Sequence, residues 1–95
     1  MAKKARASSR RKAARKKLPG TDELRDIMQA VLRDRNALSV ETAIWYFALV
    51  DETVAVLRTR GFTLNDDQLD RVIGEIRALV NGRDFQTTLD GKVYL

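Results

Sequence analysis

Between Met1 and Lys17 the chain has nothing from which to build a hydrophobic core. Apart from Met1, its only apolar residues are alanines, set among nine Lys or Arg with no Asp or Glu. A segment that buries no apolar surface cannot offset the entropy lost on ordering, so residues 1–20 are expected to be a disordered basic arm and linker. Folding is thereby confined to the residues from Thr21 to Leu95. From Leu18 onward the chain carries nine basic and thirteen acidic side chains, so the formal +5 conceals a +9 arm on a −4 body.

A body this small lies near the lower limit of independent folding, and pairing with a second copy is a common way to add apolar burial. The chain has no Cys, which excludes disulfides and thiolate metal sites and fits a reducing compartment. It has no His, which removes the commonest general base and transition-metal ligand. The longest apolar run, Ala43 to Val50, is eight residues, against about 20 for a membrane helix. No apolar stretch follows the basic start, so a secretory signal is not expected; the Arg-, Ser- and Ala-rich start is similar to an organelle transit peptide, but the amphipathic face such peptides need is weak. The expected location is cytoplasmic, with a nucleoid, a nucleus in a eukaryotic setting, or a virion as the place where nucleic acid would be met.

Leu18-Pro19-Gly20 separates arm from body, because proline disfavours helix before it and glycine loosens the joint. The body reads as mainly α: three helices, with a long central one, and a C-terminal β-hairpin. Thr21 is the expected N-cap of the first helix, with Asp22 and Glu23 suiting its positive end. Leu24, Ile27, Met28, Val31 and Leu32 follow the i, i+3, i+4, i+7, i+8 rule, and the helix is expected to end near Asn36. Ser39 is the expected cap of the second helix, which Gly61 would end in the left-handed conformation. At 100° per residue its apolar arc, from Trp45 through Val56 and Leu49 to Phe47, is roughly 200° wide, which marks a central helix with neighbours on two sides.

The third helix opens on Asn65 and Gln68, a capping-box pair, flanked by Leu64 and Leu69 at the staple positions. Leu69, Val72, Ile73, Ile76, Leu79 and Val80 form its apolar face, and Asn81-Gly82 marks its end. Asp67 and Arg71 have the i, i+4 spacing of a helix ion pair. From Phe85 to Leu95 the chain reads as a hairpin with a type I′ turn at Asp90-Gly91. Alone it would be marginal, so it must pack on the helices or pair with another chain.

The arm's cations, Lys3, Lys4, Arg6, Arg10, Arg11, Lys12, Arg15, Lys16 and Lys17, are the candidate nucleic-acid-binding residues. Phosphate binding needs many cations, and Arg grips phosphate through a bidentate fork. The arm has no aromatic residue to stack on bases and no Asn or Gln to read adenine, so the expected mode is charge-driven and largely sequence-independent, on DNA or RNA. Ser8 and Ser9 lie in an Arg-Ala-Ser-Ser context, where phosphate would cancel arm charge.

A helix followed by a hairpin is similar to the recognition helix and wing of a winged-helix domain. The expected length of the second helix opposes that arrangement, as do Asp66, Asp67 and Asp70 where such a helix would approach a duplex. The wide apolar arc instead points to a homodimer joined through Trp45, Leu49 and Val56, which would bring two arms together. The same side could be covered within one chain by Phe85, Val93 and Tyr94. Gly74 is the odd residue of the third helix, tolerated there or admitting another backbone.

No phosphate-binding glycine loop, nucleophile–base pair or metal-ligand spacing is present, so no enzyme activity, small-molecule substrate, cofactor or metal is expected. The helix dipole accounts for the three clustered aspartates. The expected function is that of a small architectural, packaging, phage or viral nucleic-acid-binding protein. The rival is a protein–protein interaction module, an assembly or inhibitor protein, with an accessory basic tail.

Overall fold

The computed structural model describes residues 18–95, so the expected disordered arm, Met1 to Lys17, lies outside the described residues. The body consists of α1 (Thr21–Asp34), a 3₁₀ turn (Val40–Thr42), β1 (Ile44–Trp45), α2 (Tyr46–Thr59), α3 (Asp66–Val80), β2 (Gln86–Thr87) and β3 (Lys92–Tyr94). The three helices and the C-terminal hairpin follow the sequence pattern. The central helix starts later than expected, and a third strand takes the place of its first turns.

All five apolar positions of α1 are buried, at 5% exposure or less, against α2 and α3. Gly20 rather than Thr21 is its N-cap, and no side chain caps it. Asn36, at φ 57°, closes α1 in a left-handed turn: its amide donates to the Arg33 carbonyl and the next amide, Ala37, to the Leu32 carbonyl. α2 ends the same way, with Gly61 at φ 96° and Phe62 donating back to Leu57. In each case the residue after the left-handed one, Ala37 or Phe62, is buried, as is the leucine whose carbonyl accepts its amide, in keeping with the hydrophobic contact of this motif.

Ser39 does not start α2. The Thr42 hydroxyl accepts from the Leu38 and Ser39 amides at 3.1 and 3.2 Å, which closes a single 3₁₀ turn and ends it. Ile44 and Trp45, β-branched and aromatic, then extend and pair antiparallel with β3, in the register Ile44↔Val93 and Trp45↔Lys92. α2 therefore begins at Tyr46, whose amide donates to the Gly91 carbonyl at 3.0 Å. A strand pairing 47 and 49 residues away overrides the local helical pattern here, because a two-stranded hairpin gains stability from a third strand.

The sheet order is β1–β3–β2, with Phe85 and Val93 buried beneath it. Its hairpin turn differs from the expected type I′. Asp90 has negative φ and only Gly91 is left-handed, at φ 94°, while the Gly91 amide donates to the Thr88 carbonyl. That is the longer hairpin loop in which a glycine bulge follows an ordinary turn. Asn65 and Gln68 form the expected capping box of α3, with bonds of 2.9 and 3.0 Å. Gly82 is not left-handed, and Asp67 and Arg71 form no ion pair.

The element order is helix, strand, helix, helix and hairpin, with the lone strand closing on the hairpin's second strand. α2, at 14 residues, is shorter than the helix expected from Ser39 to Arg60. Asp66, Asp67 and Asp70 are all exposed at the start of α3.

Candidate nucleic-acid interface

The nine arm cations lie outside the described residues, but the root of the arm does not. Leu18 and Pro19 sit against Leu24, Arg71, Val72 and Glu75 around a cavity of about 40 Å³. Thr21 Oγ1 donates to Glu75 Oε1 at 3.3 Å. The arm thus joins the body on the flank of α3.

Four of the body's nine cations meet its acids among the described residues. Arg25 bonds Asp22 and Asp84 at 2.9 and 3.1 Å, Arg35 pairs with Glu52, and Arg60 reaches Glu23 at 3.5 Å. Arg33, Arg58, Arg71, Arg77 and Arg83 make no ion pair among the described residues and are scattered over the ends of α1 and α2, along α3 and beyond it. Such scatter gives no continuous basic surface to match the arm.

The three residues expected to form a dimer face do not share one. Trp45 belongs to β1 and is 53% exposed; Leu49 is at 0% and lies in the body's own core; Val56 is half-buried against it. The arc drawn for an uninterrupted helix loses its first member once the helix begins at Tyr46. Phe85 and Val93 are buried and Tyr94 packs beside them, so the hairpin covers the Leu49 side from within the chain. A Cβ built on Gly74 meets nothing within 4 Å among the described residues, so their packing does not require glycine there.

An open groove of about 570 Å³ lies where β1, the start of α2, the end of α3 and the hairpin turn meet. Trp45, Tyr46, Phe47, Arg77, Asn81 and Lys92 are among its lining residues. Phe47 is 76% exposed and stands edge-on to Tyr46, with ring centroids 5.7 Å apart. The Lys92 ammonium lies 4.7 Å from the centre of the Trp45 ring, a cation–π contact. Asp90 completes the turn: it accepts from the Thr88 hydroxyl, and that bond, followed by its backbone amide and Lys92, holds its carboxyl below the ordinary 3.8.

No protein-family model, curated protein or solved structure matches this chain. The site therefore stands on its own geometry. No group of three or more acidic, His or Cys side chains comes together as a metal site among the described residues, and no helix there is long and apolar enough to cross a membrane.

Sequence reasoning missed Phe47, Arg77, Asn81 and Lys92 as a set. One signal was available: three consecutive aromatics, Trp45-Tyr46-Phe47, span too wide an angle on a helix to enter one core together. At least one had to face outward. The long-range pairing that sets Lys92 and Arg77 beside them leaves no local trace.

Proposed function

We propose that this chain is a non-enzymatic nucleic-acid-binding protein. In this reading Lys3, Lys4, Arg6, Arg10, Arg11, Lys12, Arg15, Lys16 and Lys17 engage the phosphates of DNA or RNA, and the body serves as their anchor. The observation that carries it is the segregation of charge, nine cations without one acid in the arm and an acidic excess in the body. A polyanion gains from releasing counterions along such an arm, whereas the body's exposed carboxylates would repel it. The pinned root beside α3 supports a defined origin for the arm.

Removal of Met1 to Lys17 tests the proposal. Affinity for a labelled duplex and a labelled single strand, read by fluorescence anisotropy, should fall at least 100-fold while circular dichroism and Tm of the body stay unchanged. With the arm present and about six phosphates engaged on duplex DNA, log K against log[salt] should have a slope near about −5. Undiminished binding without the arm would overturn the reading in favour of the body, and binding only to a protein partner would favour the interaction-module alternative.

A further inference from the structure

The arm can hold phosphates, but it has no ring to place against a base. The groove at the β1–α2 junction has what the arm lacks. Phe47 and Trp45 are large rings left 76% and 53% exposed, an arrangement that burial of apolar surface alone disfavours. Tyr46, between them in sequence, is half-buried and fixes Phe47 edge-on rather than covering its face. Both rings are held on rigid elements, because Trp45 pairs with Lys92 in the sheet and the Tyr46 amide is bonded to the hairpin turn.

The polar groups around these rings have a consistent chemistry. Arg77, on the last turn of α3, lines the groove and makes no ion pair among the described residues. Lys92 lies over Trp45 with only a distant carboxylate, Asp90 at 4.0 Å, and that carboxylate already accepts from Thr88. Asn81 brings an amide that can both donate to and accept from a base edge. The positive end of the α2 dipole opens on the same groove through Tyr46 and Phe47. A volume of about 570 Å³ lies within the range of roughly 300–1,000 Å³ usual for ligand sites.

Exposed rings beside cations are the combination that binds unpaired nucleotides: bases stack on the rings and phosphates meet the cations. A buried duplex base pair has no free face to offer. We infer that this groove is a stacking site for unpaired bases of a single-stranded nucleic acid, with Phe47 as the main platform, Trp45 as the second ring, and Arg77 and Lys92 on the flanking phosphates. The inference rests on the nucleic-acid reading of the arm and adds strand selectivity to it. Trp45 then faces nucleic acid rather than a second copy of the chain.

Trp45 is the single tryptophan of the protein, so its fluorescence reports on this groove alone. The full chain is titrated with an eight-nucleotide oligothymidylate and with a short duplex, following oligonucleotide anisotropy and tryptophan emission together. The single strand should quench Trp45 in step with binding, and the duplex should bind without quenching it. Phe47→Ala and Arg77→Gln alter exposed side chains and should keep the native circular dichroism. Phe47→Ala should weaken single-strand binding by about 5- to 150-fold, the loss expected for one base stack, and leave duplex binding within about twofold. Single-strand binding with no change in Trp45 emission would overturn the groove while leaving the arm's role intact. No binding of either strand would overturn both. Quenching that tracks protein concentration and dimer mass in light scattering, without oligonucleotide, would assign the groove to a second copy and overturn the inference.

Discussion

The α1–α3 layer and the corner where β1 runs into α2 are built from similar apolar residues and treat them in opposite ways. In the layer, Leu24, Ile27, Met28, Leu32 and Ile76 are each at 1% exposure or less. At the corner, Trp45 and Phe47 stay mostly in solvent, as does Leu89 in the hairpin turn. Room in the core is not the difference, since Leu49, two residues after Phe47, is completely buried. The same short stretch supplies both a core residue and an exposed ring. Stability explains the first region and leaves the exposed rings of the second without a role in the core.

The largest effect that could break this contrast comes from truncating one residue in each region. Ile76→Ala should cost about 2–5 kcal/mol, the usual loss for a buried aliphatic side chain. Phe47→Ala should stay within about 0.5 kcal/mol, as an exposed substitution does. Urea denaturation followed by circular dichroism measures both, and comparable losses would mean that the corner is structural after all.

A smaller effect sharpens the picture of the layer. Thr53 on α2 is at 0% exposure, and its hydroxyl has no hydrogen-bond partner among the described residues. Replacing an unsatisfied buried hydroxyl by a methyl of the same shape removes a desolvation penalty. Thr53→Val should therefore stabilise the body by about 1 kcal/mol. In a body this size that raises Tm by about 4–8 °C, and a lower Tm in calorimetry would count against a dry, apolar surrounding.

The smallest effect belongs to the corner. The Asp90 carboxyl is held below its ordinary 3.8, first by the Thr88 hydroxyl and then by its backbone amide and Lys92. Because the folded value is the lower one, this contribution to stability is present above 3.8 and is lost as pH falls through the folded value. An NMR titration of the Asp90 carboxyl should show its pKa rising toward the unperturbed value in Thr88→Val. No change would mean that the Thr88 bond does not set the turn's charge.

What could be read from the sequence divides along similar lines. The five buried positions of α1, the Asn65–Gln68 capping box and the left-handed end at Gly61 are all encoded within a turn or two of chain, and all are in place. Ser39 and Asn65 make an instructive pair. Both looked like helix caps, but Thr42 closes the turn after Ser39 on itself, and distant Val93 and Lys92 recruit Ile44 and Trp45 into a sheet. The aromatic corner was hidden for the same reason, since Lys92 and Arg77 reach Trp45 only through the fold. The turn at Asp90-Gly91 was placed correctly but mistyped, because the Thr88 side chain bonds both Asp90 and the Lys92 amide and lengthens the loop.

The sheet order also limits how two copies of this chain could meet. Among the described residues β3 is the one strand with partners on both sides, and each outer strand has just two residues in the ladder. An incoming strand would find too little free backbone on either margin to align against. Short outer strands are a recognised guard against edge-to-edge polymerisation. Contact between copies would thus have to be made by side chains, at discrete surfaces that single substitutions can abolish, and the sheet itself would resist growing into a fibre.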